Sequence, residues 1–215
     1  MTRSLALAFA VAVVPASYAS SFTFGASAPN TAIPDNAPAG VSLSASSGSA
    51  VTSIVRVTIF GLRHTWAGDL VATLSGPGGT VDLFNRIGKV SATTGFGSSS
   101  DFGTGGASGT GLNYSFTTGG ANLWTAALTN PIPAGTYAAS SNLFGGTTAT
   151  SYVETNLDSA VNGSDGVFTL TIRDLAGGDV GAFDGFEIEA VPEPATLAAL
   201  GLGAFAVMRR RRSAK

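Results

Sequence analysis

Val55-Arg-Val-Thr-Ile-Phe-Gly-Leu-Arg-His-Thr-Trp-Ala-Gly-Asp-Leu-Val-Ala-Thr-Leu-Ser-Gly-Pro-Gly-Gly-Thr-Val-Asp-Leu-Phe84 is the stretch on which the fold turns. Val55, Val57 and Ile59 alternate with Arg56, Thr58 and Phe60, the period-two pattern of a half-buried strand. Leu70, Ala72 and Leu74 repeat that pattern after His64-Thr-Trp-Ala-Gly-Asp69. Ser75-Gly-Pro-Gly-Gly79 reads as a turn, and Thr80 to Phe84 begins a third short strand.

The same signal recurs toward the C-terminal side. Phe168, Leu170 and Ile172 face one way while Thr169, Thr171 and Arg173 face the other. Phe186, Ile188 and Ala190 alternate with Glu187 and Glu189, across a polar turn from Asp174 to Gly181. Residues 20–32 carry no evident period and read as a leader into the fold. Gly95 to Gly111 holds seven glycines in seventeen positions and reads as a flexible loop.

Composition agrees with an all-β chain. Hydrophobic residues make up 44%, charged residues 11%, and 29 glycines interrupt any long helix. There is no cysteine, so stability must come from the core, from metal or from assembly. Ser20 to Val191 carries five basic residues against twelve acidic ones, a balance of about −7 that argues against a nucleic-acid partner.

His64-Thr-Trp-Ala-Gly-Asp-Leu70, followed by Leu74-Ser-Gly-Pro-Gly-Gly-Thr80, resembles the P domain (Homo B) of proprotein convertases and bacterial subtilisin-like proteases. Gly76 is an extra residue within the turn of that pattern. Ile33-Pro-Asp-Asn36, Pro131-Ile-Pro-Ala-Gly-Thr-Tyr137 and Asn162-Gly-Ser-Asp-Gly-Val-Phe-Thr-Leu170 are similar to further P-domain elements in the same order. Phe168 and Phe186 stand where the family usually has Trp. The resemblance covers residues 33–190 and implies a jelly-roll-like β-sandwich of about eight strands, in agreement with the turn spacing. It makes His64, Thr65, Trp66, Gly68, Asp69, Leu70, Gly79 and Thr80 a structural signature rather than a catalytic set.

The two ends read as addresses. Met1-Thr-Arg3, the apolar run Leu5 to Val14 and Ser17-Tyr-Ala19 form a signal peptide over residues 1–19, for signal peptidase to remove. Val191-Pro-Glu-Pro194 precedes an apolar run from Ala195 to Met208, which ends in the four basic residues Arg209, Arg210, Arg211 and Arg212. Together these parts resemble the PEP-CTERM sorting signal of exosortase substrates, over residues 191–215. Fourteen apolar residues reach about 21 Å as a short helix, less than the roughly 30 Å hydrocarbon core. The arginines would stay on the cytoplasmic side by the positive-inside rule. The resemblance implies a transient inner-membrane anchor, cleavage by exosortase near Pro192, Glu193 and Pro194, and delivery to the cell surface or exopolysaccharide matrix. A tail retained as a plain anchor is the other reading.

Chemistry is sparse. His64 is the single histidine, with no cysteine and no Gly-x-Ser-x-Gly elbow beside it, and no subtilisin-like catalytic domain is present. The chain therefore reads as a module that is not itself an enzyme. Calcium is the ligand to expect, because P domains of bacterial proteases often bind it and it takes oxygen donors from loops. Asp69 with Asp35 form one candidate group, and Asp174, Asp179 and Asp184 a second that one loop could gather. Aspartates in such turns also bond their own backbone, so both readings stand. Trp66 and Trp124 offer a sugar-stacking surface or ordinary packing. Three functions follow: a non-catalytic protein- or polymer-binding module, a factor acting in trans with a subtilisin-like protease, or a carbohydrate-binding module.

Overall fold

The computed structural model describes residues 20–144 and 151–193. The signal peptide and most of the sorting tail lie outside these residues: Pro194, the apolar run, and Arg209, Arg210, Arg211 and Arg212. Residues 20–193 form one compact unit built of β-strands.

Eleven strands make it among the described residues, against the eight or so expected. One sheet has the order β1 (Phe22–Ile33), β11 (Gly181–Pro192), β3 (Val51–His64), β6 (Leu112–Thr117), β7 (Gly135–Ala138). The other has the order β2 (Ala37–Ser46), β10 (Val167–Asp174), β4 (Leu70–Gly76), β5 (Gly79–Asn85). A two-stranded ribbon, β8 (Ser140–Asn142) with β9 (Tyr152–Glu154), completes the set. The chain passes between the sheets at each of β1–β2, β2–β3, β3–β4, β5–β6 and β10–β11, the wrapped path of a β-sandwich.

The inner faces meet in one core. Val57 and Ile59 of β3, Phe116 of β6 and Phe186 and Ile188 of β11 come from the first sheet. Leu74 of β4, Leu83 of β5 and Phe168, Leu170 and Ile172 of β10 come from the second. Phe168 and Phe186 are thus core residues, as the alternation around them requires. Phe84 links the layers, with ring centroids 5.0 Å from Phe102 and 5.6 Å from Phe116.

The outer faces explain how so few charges keep the molecule wet. Ser42 pairs with Thr171, Ser44 with Thr169 and Ser75 with Thr80, each hydroxyl pair 2.8 Å apart across neighbouring strands. Thr58 and Ser115 do the same on the first sheet at 2.9 Å. Cross-strand hydroxyl pairs satisfy the outward polar groups without ions.

Three expectations are corrected. The segment read as a leader over 20–32 is the edge strand β1, paired antiparallel with β11 from Phe22↔Ala190 to Ile33↔Gly181. Its period is carried only by Phe22, Phe24 and Ala26, and small residues beyond them hide it. Val55 does not join Val57 and Ile59 in the core. A bulge between Arg56↔Glu189 and Ile54↔Ala190 shifts the register, so Ile54 turns inward and Val55 is left 42% exposed.

The third correction is the glycine-rich loop, which is pinned rather than loose. Phe102 is wholly buried, and its backbone exchanges hydrogen bonds with His64 in both directions at 2.8 and 3.0 Å. The Tyr114 hydroxyl accepts from the Gly103 N–H and donates to the Ile132 carbonyl. Glycine here permits close backbone approach: a Cβ on Gly97 would stand 2.9 Å from Gly68 Cα.

Candidate functional site

His64 ends β3, and the chain turns there through a single 3-10 turn, Ala67–Asp69, before entering β4. That corner is clamped from three directions. Ala67 and Gly68 donate backbone hydrogen bonds to Ser100 and Ser98 of the glycine-rich loop, each 2.9 Å. The Leu175 N–H donates to the Asp69 carbonyl at 3.0 Å, and the Arg86 N–H to the Leu70 carbonyl at 2.9 Å. Gly68 must be glycine, since a Cβ would fall against the Phe96 carbonyl oxygen.

The His64 ring is wholly buried. Nδ1 lies 3.1 Å from both the backbone nitrogen and the carbonyl oxygen of Trp66, and Nε2 hydrogen-bonds to Asp174 Oδ2, also at 3.1 Å. Asp174 Oδ1 accepts from the Ala176 N–H. Beside this pair lies a second buried one. Arg86 reaches Asp69 Oδ1 at 3.6 Å, beyond a hydrogen bond, and that oxygen has no hydrogen-bond partner among the described residues. Arg86 instead donates from Nε to the Gly68 carbonyl at 2.7 Å.

Burial pushes the Asp69 carboxyl up to about 6, with Asp174 and Asp179 adding to the rise and Arg86 and His64 opposing it. Burial also lowers the Arg86 guanidinium, against the pull of Asp69 and Asp174. The corner is therefore a sealed network of two carboxylates, an imidazole and a guanidinium. Among the described residues no serine, threonine or cysteine side chain hydrogen-bonds to His64, and its only side-chain partner is Asp174.

The neighbouring residues bond or pack within the fold. The Thr65 hydroxyl donates to Asp179 Oδ1 at 2.7 Å, and the Trp66 indole N–H donates to the Phe96 carbonyl at 3.2 Å. Leu70 is in the core, Gly79 begins the strand after the hairpin turn with φ +151°, and Thr80 pairs with Ser75.

Asp69, Asp174 and Asp179 lie near enough that the latter two raise the Asp69 carboxyl, but each of the five aspartates put forward for calcium faces a partner within the fold. Asp69 and Asp174 are in the sealed corner, where Asp69 faces the Arg86 guanidinium and Asp174 accepts from His64 Nε2. Asp179 accepts from Thr65, and Asp35 accepts from the Gly178 N–H at 3.1 Å. Asp184 lies within β11, not in the preceding turn, where it accepts from the Asn30 N–H at 2.8 Å and faces Arg63 at 3.3 Å. The turn is too short to gather it, because β11 begins at Gly181. Among the described residues no three His, Asp or Glu side chains form a group that could hold a metal ion.

A different feature is open to solvent. An open groove of about 500 Å³ is lined by Gly88, Gly97, Ser98, Asn122, Trp124, Thr125, Ala127, Leu128 and Tyr152. The one-turn helix α1 (Leu123–Ala126) builds one wall, with Asn122 Oδ1 capping it by accepting from the Trp124 and Thr125 N–H groups at 2.8 and 3.2 Å. Leu123 and most of Trp124 are buried in the core, Trp124 keeping 9% exposure at the groove, where it meets Tyr152 edge to face with ring centroids 6.1 Å apart. Burial, and then the charge of Glu154, push the Tyr152 phenol up to about 12. The sequence singled out Trp124 but not its companions, because Tyr152 reaches the groove only through the β8–β9 ribbon.

Comparison with known proteins identifies one end of the chain. Residues 190–212 match the PEP-CTERM protein-sorting motif, so the basic run from Arg209 through Arg210 and Arg211 to Arg212 falls within the matched segment. No curated protein and no solved structure matches the chain. The matched segment begins at Ala190, inside β11, so the sorting signal follows directly on the last strand of the sandwich. The motif marks an exported surface protein processed by exosortase. Among the described residues no helix is long and apolar enough to cross a membrane.

Proposed function

We propose that this chain is a non-catalytic, P-domain-like β-sandwich delivered to the cell surface or the exopolysaccharide matrix, where it holds or stabilises a polymer or another protein. The observation that carries this reading is His64. The one histidine of the chain is wholly buried, with Nδ1 engaged by Trp66 and Nε2 by Asp174. A general base needs reach to a substrate proton, and this ring is enclosed by its own fold.

The resemblance of the His64–Asp69 corner to the P-domain signature supports the same reading. In this fold that corner ties β3, β4, the glycine-rich loop and the β10–β11 turn together, the work of a structural keystone. The sorting motif supplies the destination.

The test is localisation joined to activity. Antibody raised against the full chain should label unpermeabilised cells or the surrounding matrix, and the purified chain should leave a panel of peptides and glycans uncut. Hydrolysis of any panel member that His64→Ala abolishes would overturn the non-catalytic reading. Recovery of a subtilisin-like protease bound to the chain would favour the accessory factor over the polymer-binding module.

A further inference from the structure

We propose that the groove between α1 and the β8–β9 ribbon binds a neutral polysaccharide. This deepens the function proposed above and rests on it for the encounter with a surface polymer. The argument is the chemistry of the lining. Among the described residues no charged side chain lines the groove, which joins two aromatic rings to an amide and two hydroxyls. Sugar rings present apolar C–H faces beside hydroxyls, so they need aromatic walls with polar groups interleaved.

The polar groups are available. Among the described residues neither the Trp124 indole N–H nor the Asn122 amide N–H group makes a hydrogen bond, although Asn122 Oδ1 is held by the helix it caps. Thr125 is exposed on the same wall, and Leu128 stands 86% exposed at its end. Gly88, Gly97 and Ser98 also line the groove. Two of these three have no side chain, which leaves width for a ring. Next to Gly97, Phe96 is 69% exposed and packs edge-on against Trp66 with centroids 6.5 Å apart, a second apolar surface where the chain leaves the groove.

The volume lies within the roughly 300–1,000 Å³ typical of ligand sites. Charge selects the class of polymer. Residues 20–191 carry twelve acidic against five basic groups, which disfavours a polyanion. A peptide is the weaker fit, because the lining is side-chain amide and hydroxyl rather than the open strand edge that pairs with an extended backbone.

The test is affinity electrophoresis of the full chain in a polyoxyethylene detergent, through gels containing a neutral glucan, mannan or galactan, or polygalacturonate. Retardation by at least one neutral polymer and not by polygalacturonate is expected. Thr125→Arg and Leu128→Asp, both at exposed positions, should weaken it about ten-fold or more while the melting temperature stays as in the wild type. Trp124→Phe, which removes the indole N–H and keeps an aromatic ring, should weaken it less.

Binding undiminished in both exposed variants would overturn the groove as the site and leave the proposed function intact. No retardation in any neutral gel, with the chain still on the cell surface, would overturn both the groove and the polymer half of that function. Displacement by an unstructured peptide but by no oligosaccharide would overturn the inference in favour of a protein partner.

Discussion

His64 and Asp174, 110 residues apart in the chain, meet with Nε2 3.1 Å from Oδ2 and neither side chain exposed. The pair joins the end of β3 to the end of β10, one strand from each sheet. It is a cross-brace between the layers, and its geometry depends on Trp66 holding the other ring nitrogen.

Removing one member leaves the other buried without a partner. His64→Ala should therefore lower the unfolding free energy by about 3–5 kcal/mol, read from urea denaturation of the full chain. An effect below roughly 1 kcal/mol would mean that the pair is solvated in solution and that the brace is not structural.

Asp69 gives the stability a pH dependence of defined sign. Its carboxyl is raised from 3.8 to about 6 by burial, so between those values the folded chain holds a proton that the unfolded chain has released. Lowering the pH from 7 toward 4 should raise the stability contributed by this group, with most of the gain between 6 and 4. The measurement is the melting temperature of wild type minus that of Asp69→Asn across this range, since the variant lacks the titration. A flat difference would place Asp69 in contact with water.

Phe102 tests whether the glycine-rich loop belongs to the core. Its ring lies 4.9 Å from Tyr114 and 5.0 Å from Phe84. Phe102→Ala should cost about 3–5 kcal/mol in denaturant unfolding, the range for deleting a buried aromatic. A loop that is loose in solution would give almost no change.

Calcium should leave the melting temperature unchanged relative to chelator, because the candidate aspartates already face partners within the fold: Asp69 faces Arg86, Asp174 His64, Asp179 Thr65, Asp35 the Gly178 N–H and Asp184 the Asn30 N–H. A bound ion at about 100 times its dissociation constant would add roughly 2.7 kcal/mol. A shift of several degrees would show that a cage forms from other oxygens.

Replacing Pro192, Glu193 and Pro194 with alanine should leave uncut precursor in the membrane fraction. Pro192 closes β11, and the Glu193 N–H donates to the Ala50 carbonyl at 3.3 Å, a bond that alanine preserves. The sandwich should thus stay folded while sorting fails. Normal release of the variant would count against recognition of this segment by exosortase.

Much of the sandwich was legible in the chain. Alternation of large apolar with polar residues located β3, β4, β5, β10 and β11, because a strand shows its two faces at a period of two. It failed at β1, where glycine and alanine leave too little contrast, and at Val55, where a bulge reverses the faces. The sorting tail was equally legible, since its recognition depends on a contiguous order of proline, apolar and basic residues.

The site was legible only in part. His64, Trp66, Gly68 and Asp69 stand together in sequence, so the corner could be marked as a unit. That the corner is sealed follows from Asp174, Arg86 and the Phe102 loop converging on it, which no local pattern encodes. The groove likewise needs α1, residues 97–98 and the β8–β9 ribbon side by side. By itself the sequence determined the strand periodicity, the scarcity of charge and the address at the end, all properties of neighbouring residues. Tertiary structure alone decided which distant groups share a buried space, because sheet order and register set those distances and the loss of water there sets their energies.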